Sequence, residues 1–480
     1  MSTRALALPL AGIAAAVALL LSGCVERGGW KPAHRLQPQA LAADRTLADA
    51  KVDASAWPTD AWWHAYGDPQ LDSLVDAALA GSPSLEIAQA RLRAAQGQAI
   101  AARAQLAPTV ALDGSVIRQR FPVNGLYPPP FGGSYFTQGQ VTLDFSYDID
   151  FWGRNRALAQ AARSGVQAAE ASRAAARLEL AVAVVRAYVQ LDLSYALLDV
   201  TDDNLKQQTT ILDLTQQRVS AGLENTARVK QSEGQLALTR AGVAAVQANI
   251  ELARDQLADL VGAGPDRGLD LKRPQLLPPA QITLPSVLPA ELLGRRPDVA
   301  AARAQVEAGT HGVKAAEASF YPNVNLTAFA GFQSLGLAQL FDASDRILGG
   351  GPALSLPLFN RGALTGALYQ SQAQLDQSVG QYNQTLLDAV REVADVVANW
   401  RALERETVEA QAALDDAQRS YDLTTERYRA GLDNYLSVLS SQNELLLTQG
   451  LRAELEARRL SFSVDLVRAL GGGYAPAPAG

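Results

Sequence analysis

A single cysteine in 480 residues excludes two classes of chemistry at once. Cys24 can form no disulfide within the chain, and one thiol cannot build a thiolate metal site. Histidine is almost as scarce, since His34, His64 and His311 are scattered and make no ligand cluster. No block of Lys or Arg provides a footprint for nucleic acid, and the net charge of −7 offers no attraction to it. No glycine-rich run leads from a strand into a helix with Lys-Ser or Lys-Thr, so a phosphate loop is missing. Gly349-Gly350-Gly351 lies within a strand pair and reads as a bulge or bend. No Ser or Cys nucleophile has a motif around it. An enzyme reading, with or without a cofactor, rests on nothing in this sequence.

Proline is absent from residues 131–264 and again from 358–475. Both runs are rich in Ala, Leu, Gln, Glu and Arg, the good helix formers. Each contains the same short stretch. Arg218-Val219-Ser220-Ala221-Gly222-Leu223-Glu224-Asn225 returns 209 residues later as Arg427-Tyr428-Arg429-Ala430-Gly431-Leu432-Asp433-Asn434. A Gly between two helical patterns, followed by Asn, marks a helix end and the next helix start. Each copy is therefore expected to be the tip of a helical hairpin with long arms, about 155–220 and 363–429 for the leading helices. Charges such as Arg163, Glu170, Arg173, Glu179 and Asp192 make the first of these unfit to cross a membrane.

The repeat extends well beyond the tips. Pro83 matches Pro297 and Pro108 matches Pro322 at an offset of 214, and Arg154 matches Arg361 at 207. This is a duplication of a long unit, not a solenoid of short ones. Within each copy the order is helix, two strands, long helix, tip, helix. The clearest strand is Val141 to Phe151, where Val141, Leu143, Phe145, Tyr147, Ile149 and Phe151 alternate with Thr142, Asp144, Ser146, Asp148 and Asp150. The acids Asp144, Asp148 and Asp150 thus share a face, which reads as a polar channel wall opposite an apolar one. Its partner spans about 109–120, and the second copy has strands at 323–332 and about 347–358. Phe151, Trp152, Phe320 and Tyr321 sit near strand ends, as interfacial aromatics do. A water-soluble sheet covering a core is the competing reading.

The N-terminus accounts for the lone cysteine. Arg4 precedes an apolar stretch from Leu6 to Leu21 that ends in Leu21-Ser22-Gly23-Cys24. That ending resembles a bacterial lipobox, in which the cysteine is lipidated and becomes the new N-terminus. As a transmembrane anchor the stretch is short and carries Pro9 and Gly12. In lipoproteins an Asp after the Cys directs inner-membrane retention; Val25 stands there, which implies outer-membrane sorting. The expected division is 1–23 signal peptide, 24–67 extended segment, 68–262 first repeat, 263–296 proline-rich linker, 297–470 second repeat and 471–480 disordered tail.

In this order the motifs resemble those of the outer-membrane efflux proteins, trimeric tunnel channels, in their lipoprotein branch. The residues that carry the resemblance include Trp62-Trp63, Gly67-Asp68-Pro69, Tyr147 to Arg154, Leu293 to Asp298, Phe320 to Val324, Leu356 to Phe359 and Ala469 to Gly473. Four strands per chain cannot close a barrel, so the barrel must be shared; twelve strands from three chains and eight from two both satisfy closure. The resemblance implies the trimer. It implies a mainly helical chain whose long hairpins form a periplasmic α-barrel and whose four strands join a shared outer-membrane β-barrel.

The resemblance also implies partners: a periplasmic adaptor, an inner-membrane pump of the resistance-nodulation-division or the major-facilitator type, and outer-membrane lipid. The adaptor would dock at Ala221-Gly222-Leu223 and Ala430-Gly431-Leu432. Arg218, Arg427, Tyr428 and Asp433 become candidate latches at the aperture, and Leu436 a candidate constriction. Where relatives carry an acidic ring this chain has Ser437 and Ser440, so a carboxylate ring is not expected there. The function so implied is a passive exit duct for small molecules in a three-part efflux system. Protein export by a type I system, or a non-conducting surface stalk, are the alternatives.

Overall fold

The computed structural model describes residues 29–41, 44–47, 57–125, 130–277, 294–357 and 359–475. Cys24 and its lipobox lie outside them. The first repeat runs through α1 (Pro69–Gly81), α2 (Pro83–Ala104), β1 (Thr109–Arg120), β2 (Tyr135–Asp148), α3 (Arg154–Ser220) and α4 (Thr226–Leu260). The second runs through α5 (Pro297–Ala318), β3 (Asn323–Leu335), β4 (Arg346–Ser355), α6 (Arg361–Arg429) and α7 (Tyr435–Ala469). At 67 and 69 residues, α3 and α6 are each roughly 100 Å long at 1.5 Å per residue.

The chain forms two compact units, and each draws on both repeats. One comprises residues 1–35, 92–168 and 302–382 and contains the sheet. Its strands lie in the order β1-β2-β3-β4, all antiparallel. The register aligns the strand faces. Val110, Phe145, Ala328 and Gly350 lie side by side, as do Leu112, Leu143, Ala330 and Leu348. The opposite face pairs Thr109 with Ser146 and Thr327, and Asp148 with Asn325. One face is thus apolar across the sheet and the other mainly polar, although β1 alternates weakly by itself. Among the described residues, the outer edges of β1 and β4 have no strand beside them.

Two strand-level expectations change. Gly349, Gly350 and Gly351 pair in unbroken register with Phe329, Ala328 and Thr327, so they form no bulge. A Cβ on Gly349 would lie 2.8 Å from the Phe329 ring; close packing across the strands is what calls for glycine there. And β2 stops at Asp148, short of the alternating pattern. Asp150 takes a backbone φ of +47° and turns its carboxylate to the N–H groups of Asn155 (3.0 Å) and Arg156 (2.9 Å). Capping the first turn of α3 satisfies donors that a helix start leaves free, which outweighs extending the strand.

The other unit comprises residues 36–91, 169–301 and 383–480. Its largest core packs Trp62, Trp63, Leu71 and Val75 against Val184, Val185, Tyr188 and Leu191 of α3, with Leu257 and Val464. By length and composition a stretch of α3 would span a bilayer, but 56% of that window is buried within the chain, as a core helix requires. Asp68 caps α1 through the Gln70 N–H and also accepts from the Tyr188 hydroxyl (2.7 Å) and the Gln275 N–H (2.8 Å). Burial first, then the Asp68 hydrogen bond, raises the Tyr188 hydroxyl, so it stays a donor.

In the same unit Arg296 is 4% exposed. It forks onto both oxygens of Asp298 and reaches Glu392 and the Ala469 carbonyl. Buried cations persist only when so fully partnered, and this one ties the start of α5 to α6 and the end of α7. The expectation of a disordered tail does not hold for 471–475. Gly471, Gly472 and Gly473 all have positive φ, and a Cβ on Gly471 would lie 2.0 Å from the Arg295 carbonyl oxygen. The chain here is a close-packed turn that only glycine fits. Residues 476–480 lie outside the described residues.

Candidate functional site

The two repeated stretches form turns with the same backbone. At the first, the Leu223 N–H donates to the Arg218 carbonyl (2.8 Å) and the Gly222 N–H to Val219 (3.0 Å). At the second, Leu432 donates to Arg427 (2.8 Å) and Gly431 to Tyr428 (3.1 Å). These paired bonds close a helix with a Schellman motif, and its glycine must be left-handed. Gly222 and Gly431 have φ of +74° and +77°. Asn225 and Asn434 then start α4 and α7 by accepting from the Arg228 and Ser437 N–H groups.

Ala221, Gly222, Leu223, Ala430, Gly431 and Leu432 are all exposed. Leu223 is 66% and Leu432 68% exposed, a large apolar surface at each turn. A Cβ on Gly222 would meet nothing within 4 Å, and one on Gly431 only the Arg218 Nη1 at 3.9 Å. Apolar side chains on a rigid, uncrowded turn are what a partner helix can pack against.

Behind the turns, the two hairpins touch. Arg218 donates through Nη1 to the Tyr428 carbonyl (2.8 Å), and its guanidinium lies 4.6 Å over the Tyr428 ring. Tyr428 is fully buried with Ile211, Tyr421, Tyr435 and Val438. Arg427 makes no such crossing: it pairs with Asp433 (3.3 Å) and the Leu432 carbonyl in its own turn. Asp433 is held below the ordinary carboxylate range by the Ser437 hydroxyl, the Asn434 N–H and Arg427. Leu436 is 49% exposed and Ser440 is exposed, one turn apart on α7.

Two features at this end escaped sequence reasoning. Tyr421, Tyr428 and Tyr435 recur every seven residues, but the turn breaks the helical phase between the last two. A buried amide layer joins α7 to α3, with Gln208 donating to Gln442 (2.9 Å) and Gln442 to Asn204 (3.0 Å). Polar residues scattered through long helices carry no signal that distinguishes these from exposed ones.

Of the three acids read as a channel wall, Asp144 and Asp148 belong to one face of β2, where Thr142 donates to Asp144 (2.8 Å). Asp148 also accepts from the Asn155 side chain (3.2 Å). Asp150 is off the strand and spent on the α3 cap. No group of His, Cys, Asp and Glu among the described residues is arranged to hold a metal ion.

Comparison with known proteins decides the family. The model of the family described as outer membrane efflux protein matches residues 74–263 and 288–472. The chain belongs to the outer membrane efflux protein family. It is 34% identical over 473 residues to the multidrug resistance outer membrane protein MdtP of Escherichia coli K12, covering 96% of this chain and 95% of that one. It is 40% identical over 364 residues to the fusaric acid resistance protein FusA of Burkholderia cepacia, covering 75% and 68%. Among solved structures, the outer membrane protein VceC of Vibrio cholerae superposes with a TM-score of 0.82 at 38% identity, covering 87% of this chain and all of that one.

The protein is thus an outer-membrane efflux channel, with a β-barrel in the outer membrane and a helical barrel in the periplasm. Channels of this family are trimeric and work with adaptor and inner-membrane pump components. They are not enzymes.

Proposed function

We propose that this channel is the exit duct of a drug-type efflux system, coupled to a resistance-nodulation-division pump, with the major-facilitator type as the second choice. The duct is passive; the pump supplies the energy, and small toxic organic molecules are the cargo. The observation that carries this reading is the likeness to MdtP over nearly the whole chain, joined to two exposed turns of identical backbone. Expression with an adaptor and pump in a strain lacking its own duct should restore resistance to small drugs. Purified trimer should conduct ions in a planar bilayer. An electrically silent trimer would instead mark a structural stalk, and export of a protein substrate would mark a type I system.

Three finer assignments belong to the same reading. Cys24 carries lipid after removal of residues 1–23, which mass spectrometry of the mature chain tests; an intact Met1 refutes it. Ala221-Gly222-Leu223 and Ala430-Gly431-Leu432 dock the adaptor, Arg218 and Tyr428 latch the aperture that Leu436 narrows, and Arg427 with Asp433 stiffens the second turn beside it. Asp144 and Asp148 face the lumen and Phe145 faces lipid. An Arg on a lipid face costs about 2–4 kcal/mol at mid-membrane. Phe145→Arg should therefore impair assembly, whereas Asp144→Arg should assemble and lower cation selectivity; equal assembly of both refutes the facing.

A further inference from the structure

Where strands give way to helices, the sheet-containing unit holds a cleft. Its volume is about 490 Å³, and Trp152, Arg156, Gln160, Lys314, Glu317 and Tyr321 line it. The cleft lies between the end of β2 at Asp148 and the start of α3 at Arg154 on one side. On the other side are the end of α5 at Ala318 and the start of β3 at Asn323. This is the depth at which a membrane-spanning strand becomes a helix in water.

One wall is a fixed aromatic platform. The Trp152 and Tyr321 rings stack at 4.5 Å with an 18° angle between planes, and the Trp152 indole N–H donates to the Pro322 carbonyl (2.9 Å). Even so, Trp152 stays 47% exposed and the adjoining Phe151 64%. Exposed rings of this kind, anchored by their polar ends, sit at lipid headgroup level.

The other walls carry charge. Arg156 donates through Nε to the Asp150 carboxylate (3.3 Å) and through Nη2 to the Asp150 carbonyl (2.9 Å). Those bonds orient the guanidinium and leave Nη1 for a further acceptor. Lys314 is exposed and has no hydrogen bond or ion pair among the described residues. Glu317, one turn on from Lys314 along α5, adds a carboxylate. Asp150, outside the lining but bonded to Arg156, brings the balance to two cations and two anions. A bare phosphate dianion would suffer the repulsion of Glu317 and Asp150, whereas a phosphate followed by an ammonium would satisfy both signs.

We propose that this cleft binds the headgroup of a phosphoethanolamine lipid. Lys314 and the Arg156 Nη1 take the phosphate, Glu317 accepts from the ammonium, and the glycerol end rests on the Trp152–Tyr321 platform. The test uses intact trimers in phosphatidylcholine nanodiscs with and without phosphatidylethanolamine, with retained lipid counted by native mass spectrometry. Wild type should retain phosphatidylethanolamine. Lys314→Glu should lower retention about fivefold or more, the factor that corresponds to about 1 kcal/mol for each basic residue at a lipid surface.

Lys314→Arg should keep retention, and Glu317→Gln should shift preference toward phosphatidylglycerol. Single-channel conductance of Lys314→Glu should match wild type, which separates loss of the site from misfolding. Wild-type retention in a conducting Lys314→Glu trimer overturns the proposal. Displacement of the lipid by millimolar inorganic phosphate overturns it too, because the cleft would then be a site for soluble anions.

Discussion

The two tips share a backbone and differ in what their arginines do. Both close with the same paired N–H bonds, the same left-handed glycine and the same asparagine cap. Yet Arg218 leaves its own hairpin to grip Tyr428, while Arg427 folds back onto Asp433. The cause is local. Val219 in the first tip is replaced by Tyr428 in the second, and only the second supplies a ring for a guanidinium to cover. Duplication thus preserved the turn, whose geometry tolerates few sequences, and let the side-chain wiring diverge. One latch spans the hairpins; the other stiffens a single turn.

The largest expected effect tests what the tips have in common. Gly222→Trp combined with Gly431→Trp adds bulk where a Cβ would meet nothing within 4 Å at Gly222 and only the Arg218 Nη1, at 3.9 Å, at Gly431. Left-handed φ costs a non-glycine residue roughly 1–2 kcal/mol, so trimers should still form. Crosslinking to the cognate adaptor and drug resistance should collapse. Normal crosslinking in the double variant would leave the glycines as helix terminators and nothing more.

Next come the changes that probe the difference. Tyr428→Val gives the second tip the first tip's residue and empties a fully buried site, with an expected loss of about 3 kcal/mol in the melting of purified trimer. Arg218→Ala removes a charged hydrogen bond and a cation–π contact, together about 2 kcal/mol, and should raise the open probability in planar bilayers. Arg427→Ala should stay close to wild type in the same recordings, because its partner lies in its own turn. If Arg427→Ala opens the channel as far as Arg218→Ala does, the two arginines are equivalent and the contrast fails.

The smallest effect belongs to Asp433. Its pKa is lowered on folding, so its contribution is present above the ordinary aspartate value of 3.8 and disappears as pH falls below it. The melting difference between Asp433→Asn and wild type should be slight at neutral pH and absent in acid. A difference that grows toward acid would reverse the sign and remove the Asp433–Arg427 pair from the account.

Much of this was legible because periodicity and turn chemistry are local. Alternation placed β2, Gly-Leu followed by an acid and Asn marked both tips, and the expected ranges 155–220 and 363–429 meet the ends of α3 and α6 to within two residues. Where local logic met competition, it misled. Asp150 continues the alternating pattern, yet a helix start with free N–H groups follows it, and capping won. Gly471-Gly472-Gly473 leads into an Ala-Pro stretch and read as tail, yet it packs beneath Arg295 and Leu178.

By itself the sequence determined the duplication, the alternating strand, the hairpins and their turns, because each is set by neighbours within a few residues. Tertiary structure alone decided the rest. It chose which arginine crosses between hairpins and brought Gln208 to Gln442 across 234 residues of chain. It drove Arg296 into a buried knot with Asp298, Glu392 and the end of α7. It also set Lys314 beside Trp152. Apart from the Asp298 fork, these contacts join segments 96 to 234 residues apart, and their energies depend on desolvation and partner geometry that exist only once the helices have docked.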